Sequence, residues 1–122
     1  MKLTGKIVHG QGRGKALGFP TLNIEGDFVD LEQGVYAVWV DFGQGRFRGA
    51  MNYGPQPTFE GMQTRAEVFV LDFEGDLYGE TAEITVVKKT REVQKFDSAT
   101  ALQEQIQKDV GLVRGLLYND PT

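Results

Sequence analysis

Residues 35–52, with the sequence VYAVWVDFGQGRFRGAMN, indicate the fold class of this chain most clearly. Val35 to Phe42 is rich in β-branched and aromatic residues, which predicts a β-strand. Gly43-Gln44-Gly45 is a short turn of the kind that joins two antiparallel strands. Arg46 to Asn52 is therefore expected to return beside the first strand as the second half of a hairpin.

Further strands are predicted on both sides of this hairpin. Leu3 to Val8, Ala66 to Phe73 and Ala82 to Lys88 are short segments with a strand-like composition. A loop that holds Pro55 and Pro57 is expected between the hairpin and the strand at Ala66. Several short strands with glycine turns and no helical pattern among them favour an antiparallel sandwich or barrel.

The last third of the chain changes to helical spacing. Apolar residues recur there at intervals of three and four, which marks one face of an amphipathic helix; they are Leu102, Ile106, Val110, Val113 and Leu117. Asp97 or Ser98 is a suitable N-cap for this helix. Gly111 and Gly115 each cost it about 1 kcal/mol relative to alanine. The sequence thus predicts a small β-barrel with a C-terminal helix packed against it.

The composition is that of one soluble globular domain. A chain of 122 residues, 40% hydrophobic and 25% charged, has room for a single core, so the domain is expected to span residues 1–122. The chain has no cysteine, which excludes disulfides and thiolate metal sites and suits a reducing cytoplasm. No apolar run approaches the roughly 20 residues of a membrane span, and no signal peptide is evident. We therefore expect a cytoplasmic protein without a membrane partner.

The net charge of −4 argues against general nucleic-acid binding, but the charges are unevenly distributed. No acidic residue precedes Glu25, whereas Lys2, Lys6, Arg13 and Lys15 all do. An electropositive segment in an acidic chain suits one small anionic ligand. From charge alone, a solvated basic face explains it equally well.

A glycine-rich segment, HGQGRGKALGFP, occupies residues 9–20. It is not a Walker A loop, because His9 stands where the first glycine belongs and Ala16 where the hydroxyl belongs, and its glycines are spaced wrongly for G-x-G-x-x-G. Successive backbone N–H groups in such a loop still converge on an anion, and Arg13 and Lys15 add positive charge. An ordinary surface loop is the alternative that the segment alone favours.

Two oxygen-bearing side chains follow this segment in Pro20-Thr21-Leu22-Asn23. In an extended chain Thr21 and Asn23 lie on the same face, because side-chain direction alternates. Mg²⁺ prefers oxygen ligands and is often shared between a few protein atoms and substrate phosphates. The spacing alone favours a polar strand edge over a metal site.

Glu67 lies in Arg65-Ala66-Glu67-Val68-Phe69-Val70-Leu71, an otherwise mainly apolar strand. A partly buried carboxylate there is a candidate base for accepting the proton of a hydroxyl that attacks phosphorus. A surface ion pair, with Arg65 or Lys88, is the alternative.

Six segments in order resemble the riboflavin kinase family, especially the kinase module of bacterial bifunctional FAD synthetases. The resemblance covers nearly the whole chain, and the segments that carry it are Val8–Gly14, Leu17–Asn23, Gly34–Ala37, Met51–Phe59, Glu67–Phe73 with Asp76–Gly79, and Arg91 with Lys95–Ser98. It implies a six-stranded antiparallel Greek-key barrel with one C-terminal helix. It also implies transfer of the γ-phosphate of Mg·ATP to the 5′-hydroxyl of riboflavin, which gives FMN and ADP.

The resemblance implies a role for each matching position. The residues expected to enclose the ATP phosphates are Gly12, Arg13, Gly14, Lys15, Leu17 and Gly18. Thr21 and Asn23 match the Mg²⁺ site, Glu67 matches the catalytic base, and Arg91 and Phe96 match a flap beside the flavin. Leu22, Tyr53 and Thr90 depart from the family pattern without removing a reacting group.

Two other functions remain open at this stage. A non-catalytic flavin- or nucleotide-binding sensor barrel would keep the pocket, although it would not need Thr21, Asn23 and Glu67 together. A nucleic-acid-binding barrel is disfavoured by the pI near 5.0. Bacterial members of the family usually carry an adenylyltransferase domain ahead of the kinase, which makes such a domain an expected partner.

Overall fold

Six strands and one helix are formed by the residues that the computed structural model describes, which are 2–8, 21–25, 31–43, 45–58, 61–72 and 80–117. The elements, in chain order, are β1 (Lys2–Val8), β2 (Thr21–Glu25), β3 (Gly34–Phe42), β4 (Gly45–Thr58), β5 (Gly61–Val70), β6 (Thr81–Arg91) and α1 (Ala99–Leu116).

The strands close into a barrel in the order β1-β2-β5-β4-β3-β6. The barrel closes because β1 pairs with both β2 and β6. All six strand pairings are antiparallel. Closure gives every strand a partner on both sides, so none of the six is an edge strand along its whole length. The predicted hairpin is β3–β4, in which Val35 pairs with Asn52 and Phe42 with Gly45. The expected six-stranded antiparallel Greek-key barrel with a C-terminal helix is confirmed.

The expected loop at Pro55 and Pro57 is wrong, because β4 runs without interruption to Thr58. It pairs there with β5, which begins at Gly61, and Pro55 lies opposite Thr64. The pairing of β4 with β3 ends at Tyr53, opposite Gly34. Beyond that point β4 has an open edge on which no N–H group is required, so proline is tolerated.

Side chains that alternate along the strands build two separate cores. The interior core contains Val38, Val40, Met51, Val68 and Ile84, which are all completely buried. The outer core lies between the barrel wall and α1; its buried members are Ala37, Ala50, Phe69, Leu71, Ile106, Val110, Val113 and Leu117. The helical face predicted from the sequence therefore packs as expected, with Leu102 partly buried at its edge.

Ser98 is the N-cap of α1, because its side chain accepts a hydrogen bond from the backbone N–H of Ala101 at 3.1 Å. The helix continues through Gly111 and Gly115, since both face open space and the apolar face opposite them remains packed. The predicted strand at Ala66 to Phe73 ends earlier than expected. Residues 71–72 form a turn with Asp72 at φ 59°, and Phe73 lies outside the described residues.

Candidate active site

Glu67 lies at the centre of a polar row that crosses three neighbouring strands. It is directly opposite Asn23 on β2 and directly opposite Asn52 on β4. Directly opposed residues of antiparallel strands share a face and have Cα atoms about 4.5–5.5 Å apart. This face is the outer one, because Phe69, two residues further along β5, packs against the helix.

Glu67 and Asn23 are both buried, with 0% and 3% exposure. The Nδ2 atom of Asn23 has no hydrogen-bond partner among the described residues. Leaving such a buried N–H donor unsatisfied costs about 1–3 kcal/mol, and a ligand with an acceptor oxygen would relieve this cost. An amide and a carboxylate held together in a buried position are typical of a binding site rather than of a surface ion pair.

The expectation that Thr21 and Asn23 share a strand face is met by the backbone. Both lie in β2, where Thr21 is opposite Phe69 and Asn23 opposite Glu67. The six residues expected to enclose phosphates lie outside the described residues; they are Gly12, Arg13, Gly14, Lys15, Leu17 and Gly18.

The amide oxygen of Asn23 fits a hard cation in its chemistry, since Mg²⁺ prefers oxygen ligands. Within the described parts of the chain, no three His, Cys, Asp or Glu side chains cluster as a metal site. A cation at Asn23 would therefore need further ligands from outside this set, such as water or substrate oxygens.

Arg91 and Phe96, the two residues expected near the flavin, are brought together at the end of β6. The Arg91 guanidinium carbon lies 5.9 Å from the centre of the Phe96 ring, within the range of a cation–π contact. Nη1 of Arg91 also donates to the carbonyl oxygen of Glu92 at 2.9 Å. Both contacts hold the connection between β6 and α1 close to the barrel.

Asp109 of α1 fixes the other side of the Arg91 guanidinium. Nε and Nη2 of Arg91 donate to the two carboxylate oxygens of Asp109 at 2.8 Å each, and Nε2 of Gln105 adds a third hydrogen bond at 3.0 Å. Asp109 is only 5% exposed. A bidentate pair of this kind fixes orientation as well as distance, so Arg91 is anchored to the helix.

Strand pairing connects Arg91 with the polar row of Asn23, Glu67 and Asn52. Arg91 pairs with Val35, and Val35 pairs with Asn52, the neighbour of Glu67. Three strand spacings therefore separate Arg91 from Glu67, about 14 Å at 4.7–4.9 Å per strand. This distance follows the curved outer surface of the wall, because β5 and β6 are half the circumference apart in the closed order of six strands.

The connection between β6 and α1 also packs over β4 beside Asn52. A Cβ atom at Gly54 would lie 3.0 Å from Cγ2 of Val93 and 3.8 Å from Oδ1 of Asn52. Glycine thus permits Val93 to approach the strand closely. This contact places the connection at the edge of the polar row.

A second ionic cluster ties the same connection to the start of β3. The ammonium group of Lys89 contacts Glu32 at 2.6 Å and Glu92 at 2.8 Å. These hydrogen bonds raise the pKa of Lys89, and the bond from Lys89 lowers the pKa of Glu32. The hydroxyl of Tyr36 donates to the carbonyl oxygen of Glu32, and burial raises the pKa of Tyr36. Tyr36 is therefore a neutral donor at physiological pH.

A cavity of about 310 Å³ lies further along the outer face, towards the C-terminal end of α1. Its lining residues are Trp39, Arg46, Phe47, Arg48, Leu71, Asp72 and Leu117. Trp39 is four residues along β3 from Val35, which is roughly 13 Å at 3.3 Å per residue. The cavity is therefore separate from the polar row.

Sequence reasoning missed Asn52, Asp109 and Gln105 as members of this region. Asp109 had a usable signal, since it lies three residues after Ile106 and four before Val113, on the apolar face of the helix. A carboxylate on such a face requires a partner, and that partner is Arg91. Asn52 lies in one of the segments that carry the family resemblance, but its position beside Glu67 followed only from the strand register.

Comparison with known proteins identifies the family. A family model described as riboflavin kinase matches residues 1–117. The chain belongs to the riboflavin kinase family. Its resemblance to the kinase module of bifunctional enzymes is likewise supported by relatives.

Three relatives illustrate the similarity. An RNA-binding riboflavin kinase of Bacillus subtilis is 38% identical over 112 residues, which are 91% of this chain and 49% of that protein. A bifunctional riboflavin kinase/FMN adenylyltransferase of Haemophilus influenzae is 39% identical over 111 residues, 89% of this chain and 36% of that protein. The crystal structure of riboflavin kinase from Trypanosoma brucei has a TM-score of 0.70 and 29% identity, and the match covers 97% of this chain and 77% of that one.

The chain therefore spans about half or less of the length of these two curated relatives. In the parts of the chain that the structure describes, no helix is both long enough and apolar enough to cross a membrane.

Proposed function

We propose that this domain is an ATP-dependent riboflavin kinase that converts riboflavin and ATP into FMN and ADP. The observation that carries the proposal is the completely buried Glu67 between Asn23 and Asn52, in a domain of the riboflavin kinase family. A buried carboxylate between two amide side chains suits a general base, because neighbouring strands hold it in a fixed position.

Glu67 is proposed as the general base. Its carboxylate orients the ribityl 5′-hydroxyl and takes up the proton as the 5′ oxygen bonds to the γ-phosphorus. The bond between the γ-phosphorus and the β–γ bridging oxygen breaks, and ADP leaves. Transfer of this kind depends mainly on positioning and on stabilising charge, so a rigid strand pair is a suitable support for the base.

Thr21 and Asn23 are proposed to hold Mg²⁺ together with phosphate oxygens. When bound, the cation neutralises the negative charge that moves between the β- and γ-phosphates. The buried Asn23 amide, with its unsatisfied Nδ2, supports a polar ligand at this position. The residues proposed to enclose the phosphates remain Gly12, Arg13, Gly14, Lys15, Leu17 and Gly18.

Arg91 and Phe96 are proposed to border the flavin. Phe96 offers an aromatic face, and the Arg91 side chain keeps that face close to the barrel. Because Nε and Nη2 of Arg91 are engaged by Asp109, Arg91 contributes mainly by positioning. An adenylyltransferase domain that consumes FMN is a proposed partner, and a cytoplasmic setting with ATP at hand suits a chain without cysteine.

Incubation of the protein with riboflavin, ATP and Mg²⁺, followed by chromatographic separation of the flavins, tests the proposal. FMN should accumulate with ADP in equal amounts and should not form when EDTA removes the metal. A folded protein that binds riboflavin and ATP without forming FMN would contradict the proposal and favour a flavin or nucleotide sensor.

A further inference from the structure

Asn52 is the polar side chain next to the proposed base on the side that leads to Arg91 and Phe96. It is directly opposite Glu67 on the neighbouring strand and is half-buried, whereas Glu67 is completely buried. Its side chain therefore lies on the same face as the base and is more accessible. The inference drawn from it rests on the proposed function, because it concerns the riboflavin that Glu67 would deprotonate.

Asn52 has polar neighbours in the row on one side and an apolar neighbour on the other. Asn23 and Glu67 lie on one side, whereas the completely covered Val35 lies on the other, followed by Arg91. Asn52 is thus the last polar side chain of the row before the apolar Val35. A substrate that is polar at one end and aromatic at the other matches this order.

Riboflavin has this order of groups. Its ribityl chain carries a hydroxyl on the carbon next to the reacting 5′ position and further hydroxyls toward the ring system. A group one strand away from Glu67, at about 5 Å between Cα atoms, is within reach of these hydroxyls when the 5′-hydroxyl is at the base. The Asn52 amide supplies both a donor and an acceptor, which matches hydroxyl groups.

The connection from β6 to α1 approaches β4 beside Asn52. Oδ1 of Asn52 would be 3.8 Å from a Cβ at Gly54, and Val93 covers that glycine closely. Asn52 therefore lies next to the place where this connection meets the barrel wall.

We propose that Asn52 hydrogen-bonds a ribityl hydroxyl of riboflavin and thereby selects flavins that carry the polyol chain. This role differs from that of Glu67, because it concerns binding of the substrate rather than removal of its proton. It also differs from the role proposed for Arg91 and Phe96, which would border the ring system.

Steady-state kinetics of Asn52→Ala test the proposal. The KM for riboflavin should rise about 2- to 12-fold, the range that corresponds to loss of one neutral hydrogen bond, while the KM for ATP stays unchanged. Gln107→Ala, which removes an exposed amide on α1, is the matched control and should leave both constants unchanged. Equal increases in both KM values would overturn the proposal, because they would indicate a general structural defect.

Flavin binding gives a second readout that does not require turnover. Fluorescence titrations should show that Asn52→Ala weakens riboflavin binding 2- to 12-fold but leaves binding of lumiflavin, the same ring system without the ribityl chain, unchanged. Equal weakening for both flavins, or none for riboflavin, would refute the role of Asn52. If the wild-type protein formed no FMN, the kinase proposal would fail, and the ratio of the two affinities would still decide the role of Asn52.

A folding defect is controlled with a second substitution. Asn52→Ser retains a small hydrogen-bonding group and should give an intermediate ratio of riboflavin to lumiflavin affinity. Circular dichroism melts establish that each variant is folded before binding is compared. A folded serine variant whose ratio of affinities lies between those of the wild type and the alanine variant would support the proposal. A folded serine variant that loses affinity for both flavins equally would overturn it.

Discussion

Substitution of Asp109 by alanine should destabilise the protein far more than a typical surface change. The replacement removes both 2.8 Å hydrogen bonds to Arg91 and the 3.0 Å bond from Gln105. It leaves the Arg91 guanidinium, whose side chain is 19% exposed, without its carboxylate. Removing one member of a fully buried pair typically costs 3–5 kcal/mol, so this partly exposed pair should cost about 2–4 kcal/mol.

Urea denaturation followed by circular dichroism measures this loss in the free energy of unfolding. The corresponding fall in Tm should be roughly 6–16 °C for a domain of this size. Arg91→Ala should give a similar loss, and the double variant should lose clearly less than the sum of the two, because the residues interact directly. Arg91→Lys should not restore stability, since an ammonium group cannot reproduce the bidentate geometry.

Asp72→Ala is the matched control, because Asp72 also contacts two arginines, Arg48 at 2.7 Å and Arg114 at 3.0 Å. Its side chain is 56% exposed, so solvent screening limits the loss to about 1 kcal/mol or less. An Asp109→Ala variant that loses no more than Asp72→Ala would refute the reasoning that burial makes the Arg91–Asp109 pair important.

Two further predictions concern the core and the surface ion pairs. Gly49→Ala should lower the free energy of unfolding by about 1–3 kcal/mol through overpacking, since a Cβ there would lie 2.6 Å from Cγ1 of Val68. A Cβ at Gly111 meets no atom within 4 Å, so Gly111→Ala should be neutral or stabilising by up to about 1 kcal/mol. Equal urea midpoints for the two variants would contradict this account. The hydrogen bond from Arg114, with help from Arg48, lowers the pKa of Asp72 below its ordinary 3.8, so its contribution is present above that value and disappears as the pH falls through the lowered pKa. The stability difference between wild type and Asp72→Asn should therefore be small but constant above about pH 5 and should shrink on further acidification; a difference that grows on acidification would have the wrong sign.

Much of the fold was predictable because its signals are local. The strand at Val35 to Phe42, its hairpin and the apolar face of the C-terminal helix follow from composition and periodicity, and all three are present. Ser98 was a foreseeable cap because its hydroxyl accepts from a backbone N–H of the first turn. The long β4 was not foreseeable, since Pro55 and Pro57 normally exclude a strand unless one of its edges is open.

The candidate site was predictable only in part. Asn23 and Glu67 were identified separately, and the strand register brings them directly opposite each other. Asn52 joins them through a pairing between distant parts of the chain, which no local pattern contains. The same holds for Arg91 and Asp109, which are 18 residues apart and meet through packing of the helix on the barrel. The functional role of each assigned residue remains a prediction; these residues are Gly12, Arg13, Gly14, Lys15, Leu17, Gly18, Thr21, Asn23, Glu67, Arg91 and Phe96.

Single-turnover formation of FMN by Glu67→Gln tests the central claim most directly. The substitution keeps the size of the buried side chain but removes the base, so the rate should fall about 10²- to 10⁴-fold while riboflavin and Mg·ATP still bind. Glu83→Gln, an exposed strand residue near Lys2, should retain the wild-type rate. A Glu67→Gln variant that forms FMN within a few-fold of the wild-type rate would contradict the assignment of Glu67 as the base.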